Sequence, residues 1–95
     1  MSYADRIRRK ITAGLAPVRL DLIDQSHRHA GHAGAAAAGP GGETHFDLLV
    51  VSPAFAGLSR VERQRRIHEL VAEELAERVH ALSIRALTPD EEAGR

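Results

Sequence analysis

Histidine is the residue type through which this sequence could bind a metal. Three of its six histidines, His27, His29 and His32, fall within one short stretch, and neutral imidazole is a ligand for zinc, copper, nickel and iron. This spacing is a weak metal signal by itself, because a solvated polar loop can carry the same residues. The stretch therefore stays open to two interpretations, a metal-binding loop or a solvent-exposed one.

A fourth histidine, His80, stands where a long predicted helix gives way to a predicted strand. It could lie at the same end of the sheet as the histidine-rich stretch, or it could be an ordinary junction residue with a hydrogen-bond partner. His45 opens a predicted strand, and His68 lies on the long helix beside its apolar face. We interpret both of these as structural residues.

Three arginines, Arg60, Arg63 and Arg66, recur at helical spacing and could contact phosphate. A solvated helix face would show the same pattern. The net charge of the chain is zero, whereas a dedicated nucleic-acid binder usually carries a basic excess. No aromatic residue is interleaved with the arginines for base stacking.

Motifs for catalysis are absent from the sequence. The serines have no nucleophile-elbow glycine pattern, and no paired carboxylates stand out. The glycine-rich run at 39–42 precedes a predicted strand, so it lacks the helix N-terminus that binds phosphate. We predict that this chain is not an enzyme.

Hydrophobic periodicity predicts the elements that position these residues. Residues 2–14 read as an amphipathic helix that Gly14 and Pro17 would end. Residues 18–23 alternate between apolar and charged, as in a half-buried strand. Residues 45–51 form a nearly continuous apolar run, typical of a strand covered on at least one face.

The second half of the chain begins with a helix signal. A capping box from Ser59 to Glu62 starts a helix of about five turns that extends through Val79. Residues 80–87 return to strand period, and we predict that this strand is parallel to the one at 45–51 because such crossovers are right-handed. Thr88 and the proline after it start a final helical turn.

The connection at 25–44 breaks every pattern, and a connection this long is usually functional or disordered. We predict a mobile loop that joins two antiparallel strands. The predicted architecture is a single α+β domain over residues 1–95, in the order helix, strand, strand, helix, strand. Its three-stranded sheet is covered by helices on one face.

Composition limits the remaining possibilities. The chain has no cysteine, which excludes disulfides and any thiolate ligand from this chain. No apolar run approaches the roughly 20 residues that a membrane span needs. We expect a cytoplasmic protein that does not associate with membranes.

Several short motifs in a fixed order make the sequence resemble the BolA family over roughly residues 5–91. The resemblance implies a class II KH-like α+β fold, in agreement with the predicted element order. The matching stretches are Asp24–Ser26, Glu43–Phe46, Val50–Ser52, Phe55–Gly57, Arg63–Arg66, Ala72–Leu75 and Val79–Ile84.

The resemblance also implies a partner and a cofactor. BolA-like proteins pair with monothiol glutaredoxins of the CGFS type, and the heterodimer holds a bridging 2Fe–2S cluster for iron homeostasis or cluster trafficking. The glutaredoxin cysteine and a glutathione sulfur bind one side. The histidine of the family that precedes the last strand is matched by His80, and the loop ligand by His29, with His32 and His27 as substitutes. Alone, the chain is expected to be a monomer or a weak homodimer.

Some bacterial members of the family are described as DNA-binding regulators of morphology and stress response. The alternative function is therefore a transcription regulator that binds duplex DNA through Arg60, Arg63 and Arg66. The KH-like fold implied by the resemblance shows no GxxG nucleic-acid clamp, and fold analogy does not carry that function by itself. Position 64 is Gln, where the family often has histidine.

Overall fold

The computed structural model describes residues 1–25 and 44–94 of the chain. The predicted mobile loop, apart from its ends at Gln25 and Thr44, lies outside the described residues. None of the helices in these two ranges is long and apolar enough to cross a membrane. The helices are α1 (Tyr3–Leu15), α2 (Arg60–Leu70), α3 (Ala72–Glu77) and α4 (Pro89–Ala93); the strands are β1 (Arg19–Asp24), β2 (His45–Val51) and β3 (Ala81–Leu87); a 3-10 turn spans Pro53–Phe55.

The three strands form one sheet in the order β1-β2-β3, which confirms the predicted α+β fold. Strands β1 and β2 are antiparallel, with Leu22 opposite Leu48. Strands β2 and β3 are parallel, as predicted, with His45 opposite Ala81. The parallel pairing places the start of β3 beside the start of β2.

The core lies between the helices and one face of the sheet. Phe46 and Leu48 of β2 are buried against this layer, while Asp47 between them is exposed on the other face. This alternation shows that the helices cover one face of the sheet, as predicted. The buried apolar side chains of the core are Ile7, Ile11, Leu15, Phe46, Leu48, Val50, Phe55, Ile67, Val71 and Val79.

The first helix does not end at Gly14, contrary to the prediction. It continues to Leu15, and Ala16 closes it in the left-handed conformation with φ of 44°. A Cβ at Gly14 would lie 2.7 Å from Leu70 Cδ2. Gly14 therefore allows α1 and α2 to approach each other closely, which a sequence pattern cannot distinguish from a helix stop.

The long second helix is interrupted at Val71, so the prediction of one helix through Val79 is wrong. Val71 has φ of −110° and ψ of 25°, which separates α2 from α3, and α3 ends at Glu77. No glycine or proline marks the break, and the apolar spacing of Ile67, Val71 and Leu75 continues across it. Val71 is fully buried in the core, and no local sequence signal marks the change.

Candidate metal centre

His80 lies at the end of the sheet where the undescribed segment returns. Its backbone N–H donates to the carbonyl oxygen of Thr44 at 2.8 Å, and the N–H of Ala81 donates to the same oxygen at 3.2 Å. The residue itself is exposed. The backbone of His80 is therefore held by the sheet while its imidazole faces solvent.

The last described residue before this segment lies at the same end of the sheet, on the other side of the central strand β2. Gln25 donates its backbone N–H to the carbonyl oxygen of His45 at 2.7 Å. Its side-chain amide donates to Asp47 Oδ2 at 2.6 Å. Gln25 and Thr44, which flank residues 26–43, thus both lie beside the start of β2, at the end of the sheet where His80 lies. The sequence analysis left open whether His80 would lie at this end.

His27, His29 and His32 lie outside the described residues, so their role as loop ligands stays a prediction. Within residues 1–25 and 44–94, no group of three or more His, Cys, Asp or Glu side chains could hold a metal ion by itself. An exposed imidazole on a fixed backbone can supply one ligand to a metal site that is shared with a second chain. Such a site can combine imidazole on one iron with thiolates on the other.

The turn before His80 is anchored by α3. The carbonyl oxygen of Glu74 accepts hydrogen bonds from the N–H groups of Arg78 at 3.1 Å and Val79 at 2.9 Å. Val79 is buried in the core. The position of His80 consequently depends on how α3 is held against the rest of the fold.

A buried carboxylate holds α3 against α1. The side chain of Glu74 is fully buried and accepts hydrogen bonds from Arg6 and Lys10. Burial alone would raise the pKa of Glu74, but the hydrogen bond from Lys10 and the charges of Lys10 and Arg6 outweigh it and lower the pKa. Sequence analysis missed this network; its one signal was the four-residue spacing of Arg6 and Lys10 on the face of α1 beside Ile7 and Ile11.

Of the other two histidines, His45 lies at the same end of the sheet, opposite Ala81, whereas His68 lies on α2. His45 is half-buried, and its Nδ1 lies 2.9 Å from the hydroxyl of Thr44. This contact is consistent with the structural interpretation of His45. His68 is exposed on α2 and is not packed into the core.

The three arginines of α2 do not share one exposed surface, contrary to the sequence interpretation. Arg63 Nη1 donates to Glu91 Oε1 at 2.6 Å and to the carbonyl oxygen of Ala86 at 2.9 Å, and its Nε donates to that of Leu58 at 3.0 Å. The side chain of Arg63 is 12% exposed. Arg60 and Arg66, by contrast, are exposed. Arg63 turns toward β3 because a carboxylate and two main-chain acceptors meet there.

The chain is similar in sequence and structure to known proteins. A family model described as BolA-like protein matches residues 11–91. The chain is 52% identical over 87 residues to SufE-like protein 1, chloroplastic/mitochondrial, of Arabidopsis thaliana, a match that covers 90% of this chain and 24% of that protein. The chain thus spans about a quarter of that relative.

Two further comparisons cover most of both chains. The DNA-binding transcriptional regulator BolA of Escherichia coli is 37% identical over 94 residues, which cover 99% of this chain and 83% of that protein. The solved structure of BolA1 from Arabidopsis thaliana superposes with a TM-score of 0.81 at 38% identity, covering 96% of each chain. The agreement in fold extends over nearly all of the chain.

Proposed function

The chain belongs to the BolA family, and on that premise we propose that it is a non-enzymatic partner of a monothiol, CGFS-type glutaredoxin. In the heterodimer, this chain and the glutaredoxin with its glutathione hold a bridging 2Fe–2S cluster for iron homeostasis or cluster trafficking. The observation that carries the proposal is the position of His80. Its exposed side chain lies where the histidine-rich segment rejoins the sheet at Thr44.

In this proposal the two imidazole ligands have different roles. His80 is the fixed ligand because its backbone belongs to the hydrogen-bonded edge of the sheet. His29 is the loop ligand, and His32 and His27 can replace it from the same segment. Imidazole ligation raises the reduction potential of a 2Fe–2S cluster above that of a cluster with thiolates alone.

The test is co-expression of this chain with a monothiol glutaredoxin and anaerobic purification of the pair. Iron and sulfide are counted, and absorption and electron paramagnetic resonance spectra are recorded. We expect His80→Ala to remove the spectral signature of histidine ligation. The matched control is His68→Ala, which removes another exposed histidine from α2 and should leave the spectra unchanged. Identical spectra for His80→Ala, with the variant folded and the partner bound, would overturn the assignment.

A second candidate function is DNA binding, which the similarity to the DNA-binding transcriptional regulator BolA of Escherichia coli favours. Arg60 and Arg66 are exposed on α2 and are free to approach a phosphate backbone. Loss of one phosphate contact reduces the salt slope of binding by about one. We expect Arg60→Gln and Arg66→Gln to show this reduction if the chain binds duplex DNA through α2. An unchanged affinity and salt slope in both variants would reject that interface.

A further inference from the structure

The sheet has two edge strands, β3 and β1, and their outer edges are covered differently. Side chains of α2 cover the edge of β3, where Gln64 Nε2 donates to the carbonyl oxygen of Ile84 at 3.2 Å and Arg63 Nη1 donates to that of Ala86 at 2.9 Å. Within residues 1–25 and 44–94, by contrast, β1 pairs with β2 alone. An uncovered strand edge is a template for pairing with another chain.

The hydrogen bonds between β1 and β2 identify which main-chain groups of β1 point outward. Gln25 donates its N–H to the carbonyl oxygen of His45 at 2.7 Å, and these two residues continue the register of the strand pair. In an antiparallel pair, hydrogen-bonded positions alternate with positions that are not bonded. Counting back from Gln25, the main chain of Asp21 faces β2, whereas that of Leu20 and that of Leu22 face away from the sheet.

The side chains along this edge differ between the two faces of the sheet. Leu20 and Leu22 pack against the core on the side of the helices. Arg19 and Asp21 are exposed on the open face, and Arg19 Nε donates to Asp21 Oδ2 at 3.0 Å. Val18, directly before the strand, is 66% exposed. The edge therefore offers apolar side chains and one charge of each sign.

We propose that β1 pairs antiparallel with β1 of a second copy of this chain, about a two-fold axis at Leu20. In this register Leu20 lies opposite the partner's Leu20, and the exposed Val18 lies opposite the partner's Leu22. Arg19 lies opposite the partner's Asp21, and because a two-fold interface repeats every contact, the opposite pair forms as well. Opposite charges that face each other across two strands stabilise a sheet.

Other registers of the same strands are less complementary. Main-chain groups that face outward must meet each other, so the two-fold axis must pass through a residue rather than between two residues. An axis at Arg19 or at Asp21 would place two identical charges directly opposite each other, which destabilises a sheet. An axis at Leu22 would place Leu20 opposite the partner's Asp24. Charge complementarity therefore favours the axis at Leu20.

This pairing is expected to be weak and reversible. It involves only residues 18–22 of each chain, because α1 ends at Leu15 and Ala16 closes that helix in the left-handed conformation. Small interfaces belong to transient complexes, and we expect a dissociation constant between micromolar and millimolar. The interface lies on β1, at the other edge of the sheet from β3 and His80, so this proposal and the glutaredoxin proposal can fail separately.

The test is sedimentation equilibrium of the full chain over a concentration series up to millimolar, at constant ionic strength. We expect a dimer whose fraction rises with concentration. Asp21→Arg and Arg19→Asp should each weaken the dimer roughly tenfold or more, because each then contains two pairs of like charges. An equimolar mixture of these two variants should dimerise again, since every arginine then faces an aspartate. Circular dichroism of each variant checks that it is folded.

Asp47→Arg is the matched control, because it makes the same charge change at an exposed position of the central strand β2. It should dimerise like the unmodified chain. Amide hydrogen exchange at Leu20 and Leu22 should slow as the concentration rises. A chain that stays monomeric at millimolar concentration would overturn the proposal, as would a mixture of the two variants that does not recover. Equal weakening by Asp47→Arg would also overturn it, in favour of contact through the open face of the sheet.

Discussion

Arg6 Nε donates a hydrogen bond of 2.9 Å to Glu74 Oε2, although the two residues are 68 positions apart in the sequence. Lys10 Nζ donates to the other carboxylate oxygen at 3.0 Å. A buried carboxylate is tolerated only when it is paired and hydrogen-bonded in this way. The contact joins α1 to α3 and so supports the turn that leads to His80.

Replacement of the buried carboxylate should weaken the fold. Glu74→Gln keeps the shape of the side chain but removes its charge, and we expect the free energy of unfolding to fall by about 2 kcal/mol. Glu73→Gln is the control, because Glu73 also accepts a hydrogen bond from Lys10 but is 72% exposed. Exposed pairs contribute less than about 1 kcal/mol. Urea unfolding of both variants would measure the difference, and equal losses would contradict this account.

The two proposed histidine ligands should respond differently to substitution. His80→Ala is expected to leave the melting temperature of the free chain within a few degrees, because His80 is exposed. His29→Ala should weaken the cluster spectrum only partly, since His32 or His27 can take its place. The triple variant, in which all three loop histidines are replaced by alanine, should lose the cluster spectrum. Absorption spectra of each variant in complex with the glutaredoxin would measure how much of the cluster signal each substitution removes. Full retention of the spectrum in the triple variant would exclude the loop histidines as ligands.

Arg63 should behave as a structural residue. Its guanidinium binds Glu91 and the carbonyl oxygens of Leu58 and Ala86, and we expect Arg63→Gln to lower the free energy of unfolding by about 2 kcal/mol. Arg60→Gln and Arg66→Gln, on exposed positions, should change it by less than about 0.5 kcal/mol. Chemical denaturation of the three variants is the measurement. If Arg63→Gln left the free energy of unfolding unchanged, the hydrogen bonds of Arg63 would not contribute to the stability of the fold.

The Arg63–Glu91 pair should make stability depend on pH. The hydrogen bond from Arg63, together with that from the backbone of Thr88, lowers the pKa of Glu91 from 4.5 to about 2. The unfolded chain therefore binds the proton more readily. The contribution of Glu91 to stability is fully present above about pH 4.5 and is lost as the pH falls toward 2. Glu91→Gln should accordingly destabilise the protein at pH 6 and much less at pH 2.5, as measured by urea unfolding.

The control for this pH effect is Asp90→Asn, at an exposed position of the same short helix. It should not reproduce the difference between pH 6 and pH 2.5. A Glu91→Gln variant whose destabilisation stays constant over this range would show that charge on Glu91 does not stabilise the fold.

Local signals predicted most of the elements. Ser59 and Glu62 form the expected capping box, and Ser2 accepts the hydrogen bond that starts α1. The parallel placement of β3 followed from the handedness of crossovers. Such features depend on residues a few positions apart, so a single sequence contains them.

Features that depend on distant partners were not predictable in this way. Arg63 reads as part of an exposed helix face until β3 and Glu91 are placed beside it, 28 positions later. The sequence pattern at Gly14 predicts a helix end, whereas in the structure Gly14 makes room for Leu70. At the candidate metal centre, the position of His80 at the junction was predictable, whereas its bond to Thr44 required the register of β2 and β3.

The ion pairs between α1 and α3 have a consequence for how the chain folds during synthesis. α1 is synthesised before α3, and Arg6 cannot meet Glu74 until the 68 positions between them have followed. Contacts of such long sequence separation form late and slow folding. The buried carboxylate therefore links α1 to α3 through a contact that forms late, and α3 is the helix whose last turn leads to His80.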